Sequence, residues 1–335
     1  MSALPSREIR LKSRPEGVPG PENFELATGE ARAPGAGEVR VRNTFMSVDP
    51  YMRGRMTDRP SYVPPFQIGQ PMEGGAIGEV ADSGDAAFAP GDLVSSMLGW
   101  REVFTAPAGA LQKLDTSSGL APQAYLGVAG MPGLTAWAGL YDIGQLKEGE
   151  TVWVSAAAGA VGSVACQLAK AKGCTVIGTA GGEEKLEYLR TIGVDHPVDY
   201  RSAGDLKTAI KAVAGKGVNL YFDNVGGDHL EAALDVLRPY GRAAICGMIA
   251  LYNNDRPTPG PMNMPLIIGK RLRLQGFIVF DHMASQPAFH AEIARLTAEG
   301  RMDSRDTIVD GIENAPDAFL TLFTGDKIGK MLVRL

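Results

Sequence analysis

Cysteine is scarce. The three in 335 residues, Cys166, Cys174 and Cys246, form no Cys-x-x-Cys pair. That removes a disulfide framework and the closely spaced thiolates of a structural zinc site, and it suits a reducing compartment. Histidine is almost as rare: His196, His229, His282 and His290 are the four. None stands at a ligand-like distance in sequence from a cysteine, so no metal is expected. A basic excess is missing too, since 33 Lys and Arg against 38 Asp and Glu leave a net charge of −5. A chain that coats nucleic acid needs the opposite balance to displace counterions. No Gly-x-Ser-x-Gly elbow is present, which leaves nucleophilic hydrolysis without its usual serine turn. Residues 1–14 mix charges with single apolar side chains and have no signal-peptide core. The longest uncharged stretch, 116–141, would reach across a bilayer by length alone. Its prolines and glycines make it loop and buried helix instead. The expected location is the cytoplasm.

What is present is an ordinary globular composition, 44% hydrophobic and 21% charged, with 42 glycines and 22 prolines. At about 150 residues per domain the length suggests two domains. The first third reads as β: short runs over 8–12, 38–45 and 75–81 alternate partly and are separated by Gly, Pro and Asp. No helical period of useful length precedes residue 121. The texture then changes. Strands are expected over 151–155, 174–179, 196–200, 218–223, 242–247 and 271–279. Helices are expected over 159–172, 183–191, 205–213, 228–238 and 287–299. Such alternation indicates βαβ units on a parallel sheet, with ligands at the carboxyl ends of the strands. The tail reads strand 306–309, helix 314–323 and strand 330–335. It is expected to return to the first domain, leaving the α/β domain as an insertion and a cleft between the two. The segment 253–261 is the candidate mobile loop.

The strongest motif lies at Ala156-Ala-Ala-Gly159-Ala-Val-Gly162, where a β-branched strand ends and a helix begins. In a dinucleotide fingerprint three small residues make the tight turn, admit the pyrophosphate to the backbone, and let helix pack on strand. Ala157, Gly159 and Gly162 occupy those positions. The helix N-terminus then offers unclaimed N–H groups and a partial positive charge to phosphate. An NAD site wants an acid at the end of the second strand, and here that strand ends Thr179-Ala180-Gly181-Gly182. Glu183 and Glu184 come a turn later, where first-turn acids suit the helix dipole. Lys185 follows them and would attract a 2′-phosphate, so NADP(H) is preferred; a plain solvated lysine is the competing role. Tyr51, Tyr62, Tyr200 and Tyr252 are the hydroxyl donors of interest, with packing as the alternative for each. Tyr252 follows a sheet strand in an irregular Gly/Pro/Asn loop.

Five motifs in order carry a resemblance that runs nearly end to end: Val48-Asp-Pro-Tyr-Met-Arg53, Gly130-Met-Pro-Gly-Leu-Thr135, the Ala156–Gly162 turn, Tyr221-Phe-Asp-Asn-Val-Gly-Gly227 and Gly276-Phe-Ile-Val279. The chain resembles the zinc-free medium-chain dehydrogenase/reductases, in the leukotriene B4 12-hydroxydehydrogenase/prostaglandin reductase branch with its alkenal and curcumin double-bond reductases. Where zinc-dependent relatives carry Gly-His-Glu, this chain has Met72 in the histidine's place. The resemblance implies an α/β fold with a GroES-like β-rich catalytic domain over 1–125 and 303–335, and a doubly wound parallel-sheet Rossmann domain over 126–302. It implies NADPH-dependent reduction of the C=C bond of α,β-unsaturated ketones or aldehydes, no nucleic acid or membrane partner, and a homodimer.

The resemblance also implies site residues. Gly159, Ala160, Val161 and Gly162 would cradle the pyrophosphate, and Lys185 and Tyr200 would hold the 2′-phosphate. Asn224 would meet the ribose–nicotinamide half. Cys246, Gly247, Met248, Ile249 and Tyr252 would line the cofactor, with Phe277, Ile278, Val279 and Thr135 beside the nicotinamide. Tyr252 is the catalytic candidate, meeting the substrate carbonyl; Tyr51, Tyr62 and Met131 are the substrate-binding candidates. Met46, Met52, Met131 and Met248 would soften an apolar pocket, or else fill the core. Two departures stand out: Lys327 replaces an Asn before Ile328-Gly-Lys330, and Gly182 replaces a Ser, removing one hydroxyl donor. The competing readings are a zeta-crystallin-type NADPH quinone oxidoreductase, a non-catalytic NADPH-binding protein, and a zinc alcohol dehydrogenase.

Overall fold

The chain leaves its β-rich half at Leu126 and comes back to it at Asp306. In the computed structural model these points separate two units, one built from the residues up to Leu126 with Asp306–Leu335, the other from Gly127–Arg305. The described residues are 2–115, 119–325 and 327–335. Residues 116–118 of the long uncharged stretch therefore lie outside the description. No helix among the described residues is long and apolar enough to cross a membrane.

The first unit opens with β1 (Leu4–Leu11) and β2 (Phe24–Ala31), an antiparallel pair. Next come β3 (Glu38–Ser47), β4 (Ala76–Ser83), β5 (Leu93–Ser96), β6 (Val103–Pro107) and β7 (Gln112–Lys113). In β4, Gly78, Val80 and Asp82 point inward while Glu79 and Ala81 point out, the period of two that a half-covered strand requires. A one-turn helix, α1 (Met52–Arg55), sits between β3 and β4. The sequence showed no helix there because four residues are too few to display a 3.6-residue period.

The second unit alternates as expected. Helix α2 (Met131–Ala138) runs on into a π turn over Gly139–Ile143. Then follow β8 (Thr151–Val154), α3 (Ala160–Ala171), β9 (Thr175–Ala180), α4 (Glu183–Thr191), β10 (His196–Asp199), α5 (Leu206–Val213) and β11 (Val218–Asp223). After these come α6 (Gly227–Val236), β12 (Leu237–Ile245), α7 (Leu266–Lys270), β13 (Arg273–Gly276) and α8 (Gln286–Ala298). The six strands are all parallel in the order β10-β9-β8-β11-β12-β13, which is the 3-2-1-4-5-6 order of a Rossmann sheet. Two expectations are corrected. Residues 237–241 belong to β12, with Tyr240 at φ +64, where a helical end and a shorter strand were expected. The expected strand 271–279 pairs only over Arg273–Gly276, and Val279–Ser285 winds into a 3-10 helix.

The tail supplies β14 (Asp306–Asp310), α9 (Ala315–Thr324) and β15 (Lys330–Arg334). β15 pairs with β3 through Leu332 opposite Ser47 and Val333 opposite Met46, completing the sheet β14-β15-β3-β4-β5-β7, with β6 also on β3. Lys330 is buried there. Its Nζ donates to Val48 O (3.0 Å) and Met331 O (2.8 Å) and pairs with Asp49 Oδ1 at 3.2 Å. A buried ammonium needs such partners, and the pairing ties the tail to the turn that carries Tyr51. Met46, Met52, Met56 and Met72 pack with Phe24, Trp100 and Phe319 in this unit's core, all fully or nearly fully buried. Met46 and Met52 therefore fill the core of this unit. Met72, at the position of the metal-ligand histidine of zinc-dependent relatives, does the same.

Candidate functional site

The site is built where the Rossmann order reverses, between β8 and β11, the place where such sheets bind ligands. After β8 the chain turns through Ala156, held at φ +46, and α3 starts with Gly159 as its N-cap. No side chain caps that helix, so the first-turn amides of Ala160, Val161 and Gly162 have no intrahelical acceptor. A Cβ on Gly162 would stand 2.3 Å from Ala156 O and 2.8 Å from Ala157 Cα, and one on Gly159 would stand 3.2 Å from Ala156 O. Both glycines thus let the start of α3 pack directly on the turn, with its first amides left uncapped. This fits a pyrophosphate, which needs close approach and N–H donors.

Across the switch point, Ser155 and Asp223 tie the two turns together. Asn224 donates its backbone N–H to Ser155 Oγ (2.9 Å) and its Nδ2 to Ser155 O (2.7 Å), which fixes the amide expected to meet the ribose–nicotinamide half. Asp223 is fully buried. Its Oδ1 accepts from Tyr221 Oη (2.8 Å), Val225 N (2.9 Å), Gly226 N (2.9 Å) and Ser155 Oγ (3.3 Å). Its backbone carbonyl accepts from Cys246 N (2.9 Å) and Gly247 N (3.0 Å). One aspartate therefore positions both the β11–α6 turn and the start of the β12 loop. Burial raises its pKa against these hydrogen bonds, which pull it down. Its only mark in the sequence is an acid at a strand end, three residues before the Gly226-Gly227 pair.

Ile245, Cys246, Gly247, Met248, Tyr252, Gly276, Phe277, Ile278 and Asp281 line an open cavity of about 560 Å³ at the carboxyl ends of β12 and β13. Tyr252 Oη accepts the Met248 N–H at 3.3 Å and lies 3.1 Å from where a Gly247 Cβ would be, so glycine makes room for the phenol. Phe277 packs edge-on to Phe222 and to His282, and His282 Nδ1 is 2.7 Å from Asp142 Oδ2. Burial, with Asp223 nearby, pushes the Cys246 thiol up to about 12, which keeps it protonated and unsuited to nucleophilic work.

The remaining predicted residues lie elsewhere. Ile249 and Val279 begin 3-10 turns next to cavity residues. Thr135 Oγ1 donates to Met131 O at 2.7 Å within α2. Lys185 sits in the first turn of α4 with its N–H on Gly182 O. Tyr200 follows β10, with its N–H on Ala180 O and its ring edge-on to His229 at 5.2 Å. Arg201, which sequence reasoning missed, lies across Gly181: a Cβ there would be 2.7 Å from Arg201 Nε. In the first unit, Tyr51 has a buried phenol oxygen with no hydrogen bond to a described residue. Burial first, then Asp49, raises its pKa. Tyr62 is largely exposed. Among the described residues no group of three or more His, Cys, Asp or Glu is arranged to hold a metal ion.

A Rossmann sheet with an open phosphate cradle, in a chain that also carries a β-rich unit, defines a dinucleotide-dependent oxidoreductase class. Comparison with known proteins narrows it. A family model described as the N-terminal domain of oxidoreductase matches residues 7–114, and one described as zinc-binding dehydrogenase matches residues 160–298. The chain is 41% identical over 338 residues to the NADPH-dependent curcumin reductase of Escherichia coli, covering 98% of this chain and 97% of that one. It is 39% identical over 334 residues to the NADP-dependent 2-alkenal reductase of Nicotiana tabacum, with 98% and 97% covered. Among solved structures, CurA from Vibrio vulnificus in complex with NADPH matches with a TM-score of 0.93 and 41% identity, covering 98% of both chains. The chain belongs to the medium-chain dehydrogenase/reductase family, with a GroES-like unit followed by a Rossmann unit.

Proposed function

We propose that the chain reduces the carbon–carbon double bond of α,β-unsaturated ketones and aldehydes with NADPH. It is an oxidoreductase and NADP(H) is its cofactor, in keeping with its relatives. The observation that carries the reading is the Tyr252 hydroxyl, held on the wall of the cavity beside Phe277 and Ile278. When bound, NADPH supplies a hydride from nicotinamide C4 to the substrate β-carbon. Negative charge then gathers on the carbonyl oxygen as an enolate, and Tyr252 donates to it. A ribose hydroxyl is the second donor in this reading, and the α-carbon takes its proton from water or a tyrosine.

The other assignments follow the same reading. The α3 cradle holds the pyrophosphate, Lys185 and Tyr200 the 2′-phosphate, and Asn224 the ribose–nicotinamide half. Thr135, Phe277, Ile278 and Val279 flank the nicotinamide. Tyr51, Tyr62 and Met131 are proposed as substrate contacts, each to be tested by the KM of its own variant. β13 stands at the end of the Rossmann sheet order, and its outer edge is the proposed seam of a two-fold homodimer.

The test is NADPH oxidation by purified protein with a medium-chain trans-2-enone, NADH in parallel, and product analysis. The saturated ketone is the expected product. NADPH consumption with quinones but not with enones would replace this reading by a quinone oxidoreductase. Tight NADPH binding with no turnover on either panel would leave a binding protein. Tyr252→Phe is expected to lower kcat by roughly 10²–10³, the usual cost of one oxyanion donor, with NADPH affinity kept. Near-full activity would pass the role to the ribose hydroxyl.

A further inference from the structure

We infer that Asp142 and His282 form a clasp that positions the Phe277 wall of the cavity for hydride transfer, an inference that rests on the double-bond reading above. Phe277, Ile278 and Asp281 join the cavity just after β13. There the chain leaves the ladder and winds through the 3-10 turn Val279–Ser285, kinked at His282 (φ −113, ψ 16). A 3-10 turn has few hydrogen bonds of its own, and those of poor geometry. Its place is set instead by the π turn Gly139–Ile143, which holds it from both sides. Before the turn, the Arg273 guanidinium donates to Ile143 O. Within it, His282 Nδ1 donates to Asp142 Oδ2 at 2.7 Å, and at its end Ser285 Oγ donates to the same oxygen at 3.2 Å. The carboxylate accepts from both, which sets the imidazole proton on Nδ1.

The Phe277 ring is caught by this arrangement. It meets Phe222 edge-on at 6.4 Å and His282 edge-on at 6.0 Å. Gly139, the first residue of the π turn, leaves it room: a Cβ there would stand 2.8 Å from Phe277 Cζ and 2.4 Å from Phe222 Cε2. The π turn is closed by Gly144 N–H on Gly139 O at 2.9 Å, an insertion of a kind often found at functional sites. Thr135, also assigned to the nicotinamide, lies four positions before Gly139 and so on the same face of α2. One π turn thus governs both residues that flank the ring in this reading. The Asp142 and His282 side chains are partly exposed, at 31% and 19%, and such a pair adds little to the stability of a fold. Its larger effect is on where Phe277 stands, because hydride transfer depends steeply on the placement of the reacting atoms.

The experiment is single-turnover NADPH oxidation by the full chain with a saturating trans-2-enone, followed by stopped flow. Nicotinamide fluorescence gives the Kd for NADPH, and urea unfolding gives the midpoint. A single turnover separates hydride transfer from binding and product release. Asp142→Ala is expected to lower the rate constant about 10- to 100-fold, the range for a misplacement of about 1 Å, with all molecules still reacting and NADPH still bound. His282→Phe, which keeps a ring against Phe277 and has no donor, should be as slow. His282→Asn, which keeps an N–H near the place of Nδ1, should regain most of the rate. A merely structural pair gives another pattern: a lower unfolding midpoint and a smaller reacting fraction, with the rate constant unchanged in the molecules that react. That pattern, or full speed in His282→Phe beside an active wild type, would overturn the inference alone. Wild-type protein that binds NADPH and passes no hydride to the enone would overturn the double-bond reading, and the inference with it.

Discussion

Two glycine turns in the Rossmann unit look alike in sequence and differ in cause. After β8, Gly162 is glycine because backbone is in the way: its Cβ would meet Ala156 O at 2.3 Å. After β9, Gly181 is glycine because a side chain from twenty positions further on, Arg201, lies where its Cβ would be. Backbone cannot yield without moving the strand or the helix, whereas the far end of an arginine can swing away. The first glycine therefore answers to backbone that cannot move and the second to a side chain that can.

The same substitution at both positions separates these causes. Gly162→Ala should cost roughly 1–3 kcal/mol of stability, the range for overpacking, and abolish tight cofactor binding, read by denaturant unfolding and NADPH fluorescence. Gly181 is buried as well, but only the far end of Arg201 must give there, so Gly181→Ala should cost about 1 kcal/mol or less, below the loss at Gly162. Equal stability losses would mean that Arg201 is held as firmly as the backbone, and the distinction would fail.

Smaller effects test the surroundings of each turn. Asp223→Ala strips a shared acceptor from Tyr221, Val225, Gly226 and Ser155. Loss of about 1–3 kcal/mol is expected for orphaned buried partners, offset in part because the carboxylate itself is costly to bury. A rise in the Kd for NADPH should accompany it, through Asn224. Under the second turn, burial lowers the pKa of His229 from 6.5 to about 4, with Tyr200 and Trp153 against its ring and Asp228 nearby opposing the shift. The unfolded chain takes up this proton below about 6.5, and the folded chain only near 4. Stability from this group is thus present above 6.5 and lost as the pH falls toward 4. His229→Leu should flatten that part of the stability profile; a profile that does not change would show the imidazole to be solvated.

The βαβ pattern and the strand, turn and helix around Gly159 were legible because their signals are local: a strand, a small-residue turn and a helix within a dozen residues. Motif resemblance pointed to Asn224, the run from Cys246 to Tyr252 and Phe277, which spacing alone would not single out. Three things were not legible. Met46 and Met52 sit in the same segment as Tyr51, and only the packing around Trp100 and Phe319 shows them to be core. The strand expected over 271–279 contains an apolar end that folds as a 3-10 turn, because Phe277 packs against Phe222 and His282 instead of continuing a ladder. Asp223 acts through contacts with two separate turns, and neither spacing nor composition records such contacts.

The decisive measurement uses NADPH deuterated at nicotinamide C4 with a trans-2-enone, followed by location of the label in the product by NMR. Deuterium at the β-carbon of a saturated ketone is the predicted result, with Tyr252→Phe slowing the same product. Deuterium on the carbonyl carbon of an allylic alcohol would contradict it, making the chain a carbonyl reductase that leaves the double bond intact.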